Sequence, residues 1–228
     1  MKTLVNVARY HMVDRVTYLA LPWGIMIFSF LVNLAIAALV PAPGGWYTAG
    51  LLTIYVFLLI SGAYTMTRSL PFGLMLGVSR RSYYLGTALL VAALGVVYGL
   101  GLTALQVVER ATGGWGLSVH FFGVPWIMDG PWYQTWLASF VLLALFFLYG
   151  MWCGLVFRRW GTPGLVAFIA AQVLVVLVAV VAVSMTHSWS AVEQFFDALT
   201  ALAVTGVLAA LAVVLGLGGF ASMRRVTV

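Results

Sequence analysis

The run RRWGTPGLVAFIAAQVLVVLVAVVAVS, residues 158 to 184, decides the fold class. Two arginines and a Gly-Thr-Pro turn lead into a stretch where, after Pro163, only Gln172 and Ser184 carry polar side chains. A helix rises about 1.5 Å per residue, so about 20 apolar residues cross the hydrocarbon core of a bilayer. The rest of the chain repeats the pattern. Of 228 residues, 64% are hydrophobic and 7% charged, with mean hydropathy +1.11. Soluble domains carry about 25% charged residues. Eleven cations and five anions cannot clothe a soluble surface of this size, so a water-soluble enzyme is excluded.

Read outward from that run, the sequence predicts an all-α polytopic membrane protein with six transmembrane helices. They cover about 20–40, 47–67, 85–108, 134–157, 163–184 and 198–221. Pro41-Ala42-Pro43-Gly44-Gly45 closes the first span, and Arg158-Arg159-Trp160-Gly161 separates the fourth from the fifth. Residues 1–19 lack a long apolar run. Leu4, Ala8, Met12, Val16 and Leu19 recur at near-helical spacing, which predicts an amphipathic helix lying at the interface. A signal peptide would place its apolar core earlier. The chain thus divides into an interfacial helix (1–19), a six-helix membrane domain (20–221) and a short tail (222–228). Cationic segments stay on the cytoplasmic side. With both termini inside, that side holds Lys2, Arg9, Arg15, Arg68, Arg80, Arg81, Arg158, Arg159, Arg224 and Arg225, ten of the eleven cations, and leaves Arg110 outside.

Several chemistries lose their footing. Cys153 is the single cysteine, so no intrachain disulfide or CxxC site forms. His11, His120 and His187 lack metal-ligand spacing. Ser184, His187 and Asp197 supply triad residue types, but a triad is defined by geometry. Ser61 precedes Gly62 without the GxSxG context. The positive charge has no basic run or aromatic platform for nucleic acid. Span interiors offer only neutral polar groups (Asn33, Ser61, Tyr64, Thr65, Thr103, Gln106, Ser139, Gln172), which argues against proton- or sodium-driven uphill transport. Lys2 is the only lysine, so no P-loop exists, and ATP hydrolysis would belong to a separate subunit.

The most distinctive stretch runs from Arg68 to Thr87. Pro71 suits the first turn of a helix, Gly77 its left-handed C-terminal cap, and Ser79 the N-cap of the next helix. Phe72, Leu74, Met75 and Leu76 are too apolar for a free cytoplasmic loop, so they enter the headgroups or fill a groove on a partner. The run Pro71-Phe72-Gly73-Leu74-Met75-Leu76-Gly77-Val78-Ser79-Arg80-Arg81-Ser82-Tyr83-Tyr84-Leu85-Gly86-Thr87 resembles the segment after the second span in small bacterial permeases of the ABC-2 type. The pattern there is PF-x-x-x-LG-x-(S/T)RR-x-(F/Y)-x-x-G.

The resemblance implies the permease subunit of an ATP-driven exporter in a bacterial plasma membrane, moving a drug, peptide or lipid. It also implies a second permease subunit, identical or homologous, and ATP-binding cassette ATPase subunits that hold ATP and Mg, with no cofactor in this chain. Pro71, Phe72, Leu74, Met75, Gly77, Arg80 and Arg81 would then form the coupling element. Those permeases often place short helices between spans five and six, whereas here the longer loop, 109–133, joins spans three and four. Tyr55, Phe57, Tyr64 and Gln172 are candidates for a substrate pathway, with ordinary packing as the competing reading. Gly95 with Gly99 and Gly150 with Gly154 have the spacing that lets helix backbones approach, within one subunit or between two. The stretch 109–133 carries Trp115, His120, Phe121, Phe122, Pro125, Trp126, Pro131, Trp132 and Tyr133, and its aromatics read as interfacial, with a lid as the alternative. A stand-alone facilitator or a non-transporting scaffold in membrane lipid is the alternative to the exporter subunit.

Overall fold

The computed structural model describes residues 16–40, 45–125, 127–128 and 130–223. Most of the expected interfacial helix, the turn from Pro41 to Gly44, Trp126 and the arginines of the tail lie outside those residues. A π turn at Val16–Ala20 leads into α1 (Leu21–Leu39), with Pro22 in its first turn, where a missing N–H costs no hydrogen bond. The strand β1 (Trp46–Tyr47) precedes α2 (Leu52–Tyr64), a π turn at Thr65–Ser69 and the short α3 (Leu70–Met75). Then come α4 (Arg80–Ala111), β2 (Val119–His120), α5 (Trp132–Met185), α6 (Trp189–Ala198) and α7 (Ala201–Met223).

Among the described residues, four helices are long and apolar enough to cross a membrane: Tyr18–Leu39, Arg80–Ala111, Trp132–Met185 and Ala201–Met223. The partition differs from six separate helices at two places. The second expected span is carried by α2 and the start of the π turn, and the helical run continues beyond it into α3. Its winding loosens where the hydroxyls of Thr65 and Thr67 bond back to the carbonyls of Ser61 and Ala63, at 2.8 and 2.9 Å. The fourth and fifth join in α5, whose 54 residues would extend about 80 Å if straight. It is not straight. Gly161 takes φ 67° and ψ −162°, and Tyr149 and Gln172, nearly equidistant from it in sequence, hydrogen-bond at 2.8 Å. The chain therefore doubles back at Gly161, and α5 is a helical hairpin.

The first arm of that hairpin forms the centre of the molecule. Gly62 of α2 and Gly150 of α5 let two backbones touch: a Cβ on Gly150 would stand 1.9 Å from the Leu59 carbonyl oxygen, and one on Gly62 2.2 Å from that of Phe147. Gly154 faces Ala63 in the same seam, while Gly95 and Gly99 of α4 receive the rings of Phe140 and Trp136. Both glycine pairs are thus used inside one chain. On the other side, Trp152 donates to the Leu215 carbonyl at 2.8 Å and Tyr84 to that of Gly216 at 2.6 Å, fixing α7. α1 is held through Trp23, whose ring meets Tyr98 edge-on at 5.4 Å, and through the Tyr98 hydroxyl, which donates to the Tyr18 carbonyl. Met26, Ile54, Met66 and Tyr98 lie fully buried between these helices.

The second arm of α5 is different. None of residues 173–184 is buried, and Val173, Leu174, Val175 and Val176 are each about three-fifths exposed. A helix apolar all round belongs in lipid or deep in a core. Here it surrounds itself with no core.

Candidate functional site

Five of the six described arginines gather at one end of the bundle. Arg68 lies in the π turn, Arg80 and Arg81 open α4, and Arg158 and Arg159 precede Gly161. Arg158 donates to the Met66 carbonyl at 3.3 Å, which brings the two groups together. Tyr18 and Thr65 hydroxyls pair at 3.2 Å there, and the Tyr83 hydroxyl donates to the Thr65 carbonyl at 3.0 Å.

On this base stands the turn that the sequence singles out. Pro71 occupies the first turn of α3, Leu70 is buried, and Gly73 packs beneath the Tyr83 ring, whose carbons would lie 3.0 Å from an added Cβ. Gly77 has φ +79°. Its N–H bonds to the Leu74 carbonyl at 3.0 Å, and that of Val78 to the Gly73 carbonyl at 3.1 Å, the paired closure of a left-handed helix end. The Ser79 hydroxyl then accepts the Ser82 N–H at 3.2 Å and caps α4. The turn is rigid, yet its outer edge is apolar and exposed. Met75 is 77% and Leu76 63% exposed, with Phe72 half exposed and Leu74 half buried beside them. Arg80 is half buried, and Arg81 is exposed at the rim.

The candidate pathway residues fall into separate neighbourhoods. Tyr55 is buried against Phe146, and its hydroxyl approaches that of Ser139 without reaching hydrogen-bonding geometry. Phe57 turns the other way, into a shallow groove with Ile25. Tyr64 is exposed, and Gln172 is engaged by Tyr149. Ser184 of the triad-type set accepts the Trp189 indole N–H at 3.2 Å.

The opposite end holds residues that the sequence reading did not single out. Glu109, in the last turn of α4, is 2% exposed. One carboxylate oxygen accepts the backbone N–H groups of Phe121 and Phe122, at 2.9 and 3.0 Å, and the Trp115 indole N–H at 3.3 Å. Gln106, Arg110 and Thr135 all donate to the Met128 carbonyl, and Arg110 also to that of Gly130 at 2.9 Å. Phe30 of α1 meets Trp115, Phe121 and Phe122 at 5.0 to 5.3 Å. β1 and β2 pair in parallel, and Tyr47 stacks on His120 at 4.7 Å. The stretch 109–133 is therefore a cap pinned to the helix ends. Its signal was present in the spacing. Gln106, Glu109 and Arg110 stand at i, i+3 and i+4, one polar helix face aimed at the loop that follows.

No family model matches the chain, and no curated protein or solved structure matches it either. What the molecule is rests on its composition and geometry. It is a multi-pass, largely helical membrane protein.

Proposed function

We propose that this membrane protein is the permease subunit of an ATP-driven exporter of the ABC-2 type, in a bacterial plasma membrane, with ATP and Mg held by a separate ATPase subunit. Two permease subunits would enclose the path of a hydrophobic or amphipathic substrate. The observation that carries the reading is the rigid turn at 70–79: capped at both ends, it presents Met75 and Leu76 outward at the arginine-rich end. A capped turn with an apolar edge is built to be covered. Arg80 and Arg81 flank it, as an interface with an apolar centre and a polar rim requires. The doubling back at Gly161 and the run from α2 to α3 are compatible with six spans and both termini inside. The ten-residue α6 stands between the last two of them, where the resemblance leads one to expect a short helix.

The test is copurification of the full chain with the ATP-binding subunit that the proposal requires. Met75→Asp with Leu76→Asp removes the apolar edge while leaving the spans untouched. Buried apolar anchors at such interfaces typically contribute about 2 kcal/mol or more, so the ATPase should be lost from the complex and the permease still inserted. Undiminished recovery of the ATPase would make the turn a lipid anchor and favour a stand-alone membrane protein.

A further inference from the structure

A groove of about 600 Å³ opens sideways between α4, the first arm of α5 and α7. Its lining is apolar apart from the Tyr84 hydroxyl and Arg81, which stands exposed at the arginine-rich end. Ala88, Ala92 and Ala144 hollow it out, and an added Cβ at Gly216 would meet only a Leu148 methyl, at 3.9 Å, so the space above α7 is open. The Tyr84 hydroxyl on its wall already donates to the Gly216 carbonyl at 2.6 Å.

From Arg81 to Ala92 the groove follows α4 for about 16 Å, close to half of the ~30 Å hydrocarbon core. Its depth is that of one leaflet. An extended peptide in it would leave backbone N–H and C=O groups facing apolar side chains, whereas an acyl chain brings no polar group to satisfy. The cation at the mouth adds a preference of sign, because the headgroup of a chain seated here comes level with the guanidinium.

From these features we infer that the groove is a binding site for an anionic phospholipid of the arginine-side leaflet, with one acyl chain between α4 and α7 and the headgroup phosphate against Arg81. The site is independent of any ATPase partner. It uses the outward flank of α4, not the exposed edge of α3.

The full chain, purified in a mild detergent, is titrated with phosphatidylglycerol and with phosphatidylcholine of the same chain length, and bound lipid is counted by native mass spectrometry. Phosphatidylglycerol is expected to bind one site about fivefold more tightly, the factor that one arginine near anionic lipid contributes. Arg81→Gln should bring the two lipids level. Ala92→Phe, at an exposed position, should weaken both by plugging the deep end, and Arg80→Gln should keep the preference because Arg80 does not line the groove. Equal binding of the two lipids by the unaltered chain would overturn the proposal, as would a preference that Arg80→Gln removes and Arg81→Gln leaves intact. It would also be overturned if Ala92→Phe left lipid binding unchanged and split a dimer instead, since the occupant would then be a second copy.

Discussion

The two ends of the bundle are built from similar material and finished in opposite ways. Both 68–84 and 109–133 mix glycine, proline and bulky apolar side chains between long helices. At 109–133, Glu109, Gln106, Arg110 and Thr135 collect backbone groups of the loop, and its aromatic rings close over α1. At the other, the backbone is capped with equal care, but Met75 and Leu76 are left outside. A loop that consumes its own hydrogen bonds and buries its own rings needs nothing further. One that fixes its backbone and exposes its apolar edge is shaped for something else to cover.

The largest effect should come from breaking the closed end. Glu109→Ala removes the acceptor of two buried backbone N–H groups, each costing about 1–3 kcal/mol when left unsatisfied. Thermal unfolding in detergent should fall accordingly, and a cysteine placed at Val119 should become reactive. An unchanged midpoint would mean that the cap does not depend on its carboxylate. Arg110→Ala should cost less, about 1 kcal/mol, because the exposed guanidinium shares the Met128 carbonyl with Gln106 and Thr135. The smallest effect belongs to the open end. Met75→Ser with Leu76→Ser should change the stability of the isolated chain by less than about 0.5 kcal/mol, as exposed substitutions do. A large loss there would show that the edge packs within the chain and erase the contrast.

Much of this could be read from the sequence because it is local. Apolar run length marks the membrane helices, Gly161 followed by Pro163 marks the hairpin, and Pro71, Gly77 and Ser79 stand at the positions that their backbone preferences dictate. Glu109 was legible only as part of a polar helix face with Gln106 and Arg110; its partners, the backbone N–H groups of Phe121 and Phe122, are announced by no residue type. Nor was the use of the paired glycines, where only the fold decides that Gly150 faces Leu59 of the same chain. α6 left a readable trace in Trp189, Val192, Glu193 and Phe196, which are spaced for a helix. Tyr55, Phe57, Tyr64 and Gln172 share aromatic or amide character but not a neighbourhood, because helix phase separates positions only a few residues apart.

Whether the open end is a docking edge is tested most directly by a photo-crosslinking side chain placed at Met75 in cells that also make the proposed ATP-binding subunit. Leu117, exposed at the closed end, serves as the matched control. Cys153 is buried and stays silent to thiol reagents used to follow the products. A covalent adduct of this chain with the ATP-binding subunit is expected from position 75 and none from position 117. Adducts with lipid alone from position 75, at normal levels of both subunits, would contradict this expectation.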